Sequence, residues 1–172
     1  SCGMILADLG AEVIKVEPVD GDRTRKLRGF GAGFFGYFNR NKKSLALDAD
    51  APEGRAVLTK LLQSADVLIE NFAPGSMGRR GLGPQHLEKI NPRLVYCALK
   101  GFLPGPYEKR PALDEVVQMM GGLAYMTGPS GRPLRAGTSV VDIMGGMFGA
   151  FGTVLALKQR ERTGKGGLVE SA

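Results

Sequence analysis

At 172 residues, 43% of them apolar and 23% charged, the chain is long enough for one domain with a proper core and has an ordinary soluble composition. No apolar run reaches the roughly 18 to 20 residues without polar interruption that a membrane span needs, and no signal-like beginning is present, so a cytoplasmic protein is expected. Lys and Arg number 23 against 17 Asp and Glu, a formal charge of +6, which favours an anionic ligand but leaves nucleic acid, nucleotide and acidic metabolite open. Cys2 and Cys97 lie far apart in no CxxC or Cys/His pattern, so neither a disulfide framework nor a zinc site is indicated and both are expected as free thiols.

The opening "SCGMILADLG" reads as the middle of a helix stopped at Gly10. Residues Ala11 to Glu17 alternate β-branched and polar side chains and read as a strand. A polar loop through "DGDRTRK" and a flexible "GFGAGFFGYFN" follow, then a strand at "KKSLALD". Asp50, Pro52 and Glu53 form a helix-start signature for "GRAVLTKLLQSA". "DVLIENF" is again strand-like and is cut off by "APGS"; a short helix "PQHLEKIN" leads to a further strand in "RLVYCALKGF". One helix is expected over Leu113 to Met126, a turn at "TGPSGRP", and a short buried strand ending in "SVVD". That strand feeds a helix running to about Arg162, whose cationic last turn and following Gly suit a helix end. The closing "GKGGLVESA" breaks off as a strand begins, so residues 1–172 read as one partial domain truncated at both ends.

Strand and helix alternate, the pattern of a parallel sheet covered by helices. The expected fold is α/β, a Rossmann-like, doubly wound sheet. In such folds ligands sit outside the carboxyl ends of the strands, which directs attention to Glu17, Asp48, Asn71 with Phe72, Lys100 with Gly101, and Asp142. A carboxylate is costly to bury without partners, so Asp142 is either a helix cap or a working group. A cap does not explain Gly145, Gly146 and Gly149, each costing a helix roughly 1 kcal/mol relative to Ala; helix packing or a bulky ligand would. Arg79 and Arg80 either cradle phosphate or form a solvated face, and "NRNKK" (Asn39 to Lys43) divides the same way. The sole histidine, His86, lies on an expected surface helix, which removes Ser/His/Asp and Cys/His triads. "GFGAGFFG" fails as a dinucleotide fingerprint, since it does not join a strand to a helix at the required spacing.

The sequence resembles the class III coenzyme A transferases, the family of formyl-CoA transferase and carnitine CoA-transferase, related to the α-methylacyl-CoA racemases. The resemblance rests on "LADLGAEVIKVEP", "NRNKKSLALD", "DVLIENFAPGSMGRRGLG", "NPRLVYCALKGF", "MTGPSGRPLRAGTSVVDIMGG" and "ERTGKGG", in the family's order and spacing. It implies that Asp142 is the nucleophile, attacking an acyl thioester and later carrying CoA as an aspartyl thioester. It also implies that Asn71, Phe72, Arg79 and Arg80 contact CoA at its nucleotide end, that Leu47 is a further cofactor-contact position, and that Ala112, Leu113 and Asp114 line the pantetheine channel. The implied partners are acyl-CoA and carboxylic acid substrates in a cytoplasmic, interlocked homodimer, with no metal, no permanently bound cofactor, no nucleic acid and no membrane. The racemase branch places a histidine where this chain has Leu113, which argues against racemisation. A non-catalytic CoA- or nucleotide-binding module is the reading from a different class.

Overall fold

Apolar periodicity places the strands and the longer helices of the computed structural model, which describes residues 1–110 and 112–172. In the first half α1 (Cys2–Asp8), β1 (Val13–Glu17), α2 (Phe34–Phe38), β2 (Lys42–Ala46), α3 (Pro52–Ser64) and β3 (Val67–Glu70) succeed one another. Then come α4 (Ser76–Arg79), α5 (Pro84–Ile90), β4 (Val95–Leu99), α6 (Asp114–Met120), α7 (Leu123–Thr127), α8 (Val140–Thr163) and β5 (Gly167–Ser171). Every strand pair is parallel, as the alternation of strand and helix requires. The ladder divides into two parts, β1 beside β2 and a three-stranded sheet in the order β3-β4-β5.

The buried run Val95 to Ala98 explains why β4 reads as continuously apolar: both its faces are covered. Tyr96 and Ala98 join Leu58 and Leu62 of α3, Met77, Leu82, Leu87 and Leu94 on one side. Cys97 points the other way, to Cys2 and Leu6 of α1 and Ala150 of α8. Both cysteines are buried free thiols.

Four local expectations change. The "DGDRTRK" loop winds into a 3₁₀ turn at Arg23–Lys26, because the Asp22 side chain accepts from the Thr24 N–H. The flexible "GFGAGFFGYFN" contains α2, whose Phe35 ring lies 3.8 Å under the Arg25 guanidinium. The single helix expected over 113–126 breaks between α6 and α7 at Gly121 and Gly122, the latter at φ 81°. Finally, "SVVD" is no strand: helix begins at Val140. The β preference of the two valines yields to a cap supplied from another helix, described below. At α3 the cap residue is Ala51, and Asp48 Oδ1 accepts the Asp50 and Ala51 N–H groups just before it.

With Asp142 counted in, α8 has an 18-residue window of mean hydropathy 1.8, so by length and composition alone it could cross a membrane. Its glycines instead seat it on the sheet. A Cβ on Gly149 would lie 2.5 Å from Leu99 Cδ2, and one on Gly152 would lie 2.6 Å from Val169 Cγ1. The helix ends where the sequence indicates, with Arg160 and Arg162 in its last turn and Gly164 at φ 74°.

Candidate active site

The first turns of α8 stand at the carboxyl edge of the three-stranded sheet. Ser171, the last residue of β5, donates its hydroxyl to Gly145 O at 2.8 Å, and Lys100 N–H, just past β4, donates to Ser171 O at 2.8 Å. Asp142 therefore lies where ligands collect in parallel sheets.

The cap reading of Asp142 is corrected by the geometry. Asp142 is the third residue of α8, and Ser139 holds the cap position without a side-chain bond. The early N–H groups of the helix are taken by Asp114, whose Oδ1 accepts from Val141 N at 2.9 Å and from Asp142 N at 3.2 Å. A carboxylate from α6 thus does the work that a local side chain usually does. Asp114 is buried at 5% exposure, and its Oδ2 accepts from Gln118 and, at 3.4 Å, from Arg135.

Asp142 itself is exposed, and among the described residues its carboxylate accepts no hydrogen bond. Partial loss of hydration, then the negative charges of Asp114 and Glu115, push its carboxyl above the ordinary carboxylate value, with Arg135 pulling the other way. Such a group is less well solvated and more basic than a free carboxylate.

The glycines of the first three turns separate by role. A Cβ on Gly146 would fall 2.8 Å from Cys2 N and still closer to the Ser1 hydroxyl, so Gly146 is small because α1 presses on it. Gly149 is small because of Leu99 and Cys97. A Cβ on Gly145 would meet nothing within 4 Å, which leaves open space one turn from Asp142.

The other expected site residues fall into two groups. Of Ala112, Leu113 and Asp114, Asp114 bonds to α8, Ala112 packs on Gly101, whose own Cβ would lie 2.1 Å from Ala112 Cβ, and Leu113 is 64% exposed just before α6. Leu47, Asn71, Phe72, Arg79 and Arg80 lie past β2 and β3. Leu47 packs on the Met77 cluster, and the Arg80 guanidinium sits 5.7 Å from the Phe72 ring while pairing with Asp50 at 3.3 Å. Arg79 makes no ion pair among the described residues. Phe72 N–H donates to Glu70 Oε2 at 2.8 Å, anchoring the turn that exposes Asn71 and Phe72. By contrast Arg40 of "NRNKK" pairs with Asp8, and Lys43 with Glu12, so these two cations of the run already have acidic partners.

Sequence reasoning missed Gln118, Arg135 and Glu70. Glu70 and Arg135 carry no pattern of their own. Gln118 left one trace, a polar residue four positions after Asp114 and flanked by the apolar Val116, Val117, Met119 and Met120.

Comparison with known proteins identifies the family. The family model described as CoA-transferase family III matches residues 1–172. A formyl-CoA:oxalate CoA-transferase from Rhodopseudomonas palustris is 42% identical over 100% of this chain and 42% of its own length. The succinyl-CoA–L-malate CoA-transferase beta subunit of Chloroflexus aurantiacus is 40% identical over 99% of this chain and 44% of its own. The crystal structure of a CAIB/BAIF family protein from Brucella suis superposes with a TM-score of 0.90 at 40% identity, over 98% of this chain and 47% of that one. Rv3272 from M. tuberculosis gives 0.91 at 37% identity, over 99% and 48%. The chain thus spans under half the length of the relatives it matches.

Proposed function

Because the chain belongs to CoA-transferase family III, we propose that the protein built on it moves coenzyme A from an acyl-CoA thioester to a carboxylic acid, with Asp142 as the covalent nucleophile. The observation that carries this reading is that Asp142 stands in the first turn of α8 with its carboxylate unbonded, while Asp114 does the capping. A carboxylate that holds nothing in place is free to react.

In the proposed sequence, an Asp142 oxygen attacks the thioester carbonyl, forming a mixed anhydride and releasing CoA as its thiolate. The thiolate attacks the aspartyl carbonyl, giving an aspartyl-CoA thioester and the free donor acid. The acceptor carboxylate then attacks that thioester, and the released thiolate takes the acyl group from the second anhydride, restoring Asp142. No net proton or electron is consumed. The open space at Gly145 is where the thioester would fit, and the helix N-terminus favours the negative charge that develops there. Exposed Phe72 and Arg79, with Arg80 held beside the ring, offer an aromatic face and cations for the adenine and phosphates of CoA. Leu113 offers no group that could take an α-proton, which sets racemisation aside. The family resemblance is what supports a cytoplasmic homodimer.

The test is Asp142→Asn in the full-length protein: transfer should be abolished while CoA binding and the fold persist. An Asn variant that still transfers CoA would end the proposal.

A further inference from the structure

Gln118 is fully buried, at 0% exposure, in a helix whose neighbouring positions are apolar. Burying a carboxamide is unfavourable unless each of its groups finds a partner, and a leucine would fill the same volume without that demand. Here the demand is met in full. Nε2 donates to Asp114 Oδ2 and, at 3.2 Å, to Thr138 O; Oε1 accepts from Ala136 N at 2.6 Å. The reversed amide would set its oxygen against a carboxylate and a carbonyl, so only one orientation is chemically sensible.

These contacts join the two pieces that define the start of α8. One is Asp114, whose other oxygen receives the N–H groups of Val141 and of Asp142 itself. The second is the backbone at Ala136 and Thr138, which leads into the helix. We infer that Gln118 is a positioning residue for the reaction: by fixing Asp114 and the 136–138 backbone together, it sets where the Asp142 carboxylate stands relative to the space at Gly145. The inference rests on the reading of Asp142 as nucleophile. Arg135, which reaches Asp114 Oδ2 at 3.4 Å with a half-exposed side chain, is the weaker of the two supports.

The experiment uses two variants of the full-length protein, Gln118→Leu and Gln118→Glu, with Asp142→Asn alongside. In Gln118→Leu the maximal transfer rate should fall by roughly 10 to 100-fold, the scale of a nucleophile displaced by a fraction of an ångström to 1 Å. KM for the acyl-CoA should change less than the maximal rate, the expected contacts to the nucleotide end of CoA lying past β2 and β3 and not at Gln118. Gln118→Glu keeps the shape but puts a second carboxylate against Asp114, and such a pair gives up its last proton less readily than either group alone. While that proton is held it restores a donor to Asp114 Oδ2, and once it is lost the two negative charges repel, so the ratio of variant to wild-type kcat should rise as pH falls. A purely structural glutamine would lower the melting temperature and leave kcat per folded molecule and its pH dependence unchanged; that result, or a ratio flat with pH, overturns the inference. The isosteric Glu variant decides the matter even if the Leu variant does not accumulate. If Asp142→Asn is inactive and the Gln118 variants behave as wild type, only this inference falls; if Asp142→Asn transfers CoA, both fall.

Discussion

Two carboxylates at the carboxyl ends of this fold lead opposite lives. Glu17, closing β1, is 4% exposed and saturated with donors: Arg25 reaches both its oxygens at 2.6 and 2.9 Å, the Ser44 hydroxyl donates to Oε1, and Asp22 N–H donates to Oε2 at 2.8 Å. Arg25 foremost, then Ser44, hold its carboxyl well below the usual range. Asp142 has none of these partners and is shifted the other way. A carboxylate whose oxygens are all engaged can organise a loop and nothing more; one left unbonded beside other negative charges retains its basicity for a substrate.

The largest effect should come from Asp142→Asn. Transfer should drop by at least on the order of a thousandfold, equivalent to about 4 kcal/mol of barrier, while thermal unfolding shows an unchanged or slightly raised midpoint. The sign follows from the shift: a carboxyl whose folded pKa is raised destabilises the folded state above that pKa, and the amide removes the cost. The same shift moves the acid limb of the wild-type kcat/KM profile upward from where an ordinary aspartate would place it, activity falling as pH drops and Asp142 takes a proton. An acid limb at or below the position of an ordinary aspartate would separate Asp142 from the chemistry.

A next-smaller effect contrasts glycines on the same helix. Gly149→Ala must displace Leu99 and should cost about 1–3 kcal/mol in denaturant unfolding. Gly145→Ala meets nothing and should gain up to about 1 kcal/mol from helix propensity, yet lower turnover by crowding the space beside Asp142. Equal effects of the two on stability would contradict the division of roles.

Glu17→Gln should lower the melting temperature at neutral pH without touching the maximal rate. Because the folded pKa of Glu17 is depressed, its stabilisation is present above the unfolded carboxylate value and is lost as pH falls toward the folded one, so the gap between wild type and variant should close on acidification. Smallest of all, Arg79→Ala should weaken CoA binding by roughly tenfold or less and reduce its salt sensitivity, as for a screened surface contact. Arg80→Ala should do less through phosphate, its charge already being shared with Asp50.

The same contrast shows what the sequence made legible. Strands β1 to β5 and the long helix α8 followed from apolar periodicity, because β4 is buried on both faces and α8 must pack on it. Asp142 stood out as a lone acid among apolar and glycine residues. Its capping partner did not: Asp114 lies 28 residues away in sequence from the Asp142 N–H it accepts, and no local pattern announces a cap delivered by another helix. For the same reason "SVVD" read as a strand, its valines speaking for β structure when the deciding hydrogen bonds came from α6. Glu17 was equally visible as a residue after a strand, yet its saturation by Arg25, Ser44 and Asp22 depends on how the "DGDRTRK" loop folds back, which polarity alone does not determine.

The most direct test is covalent. The full-length protein, incubated with a panel of acyl-CoAs and treated with hydroxylamine during turnover, is digested and the peptide containing "TSVVDIMGG" is weighed. The account predicts a hydroxamate mass shift on Asp142, dependent on acyl-CoA and absent in Asp142→Asn. Sustained transfer with that peptide unmodified, or with the hydroxamate on another carboxylate, would contradict it.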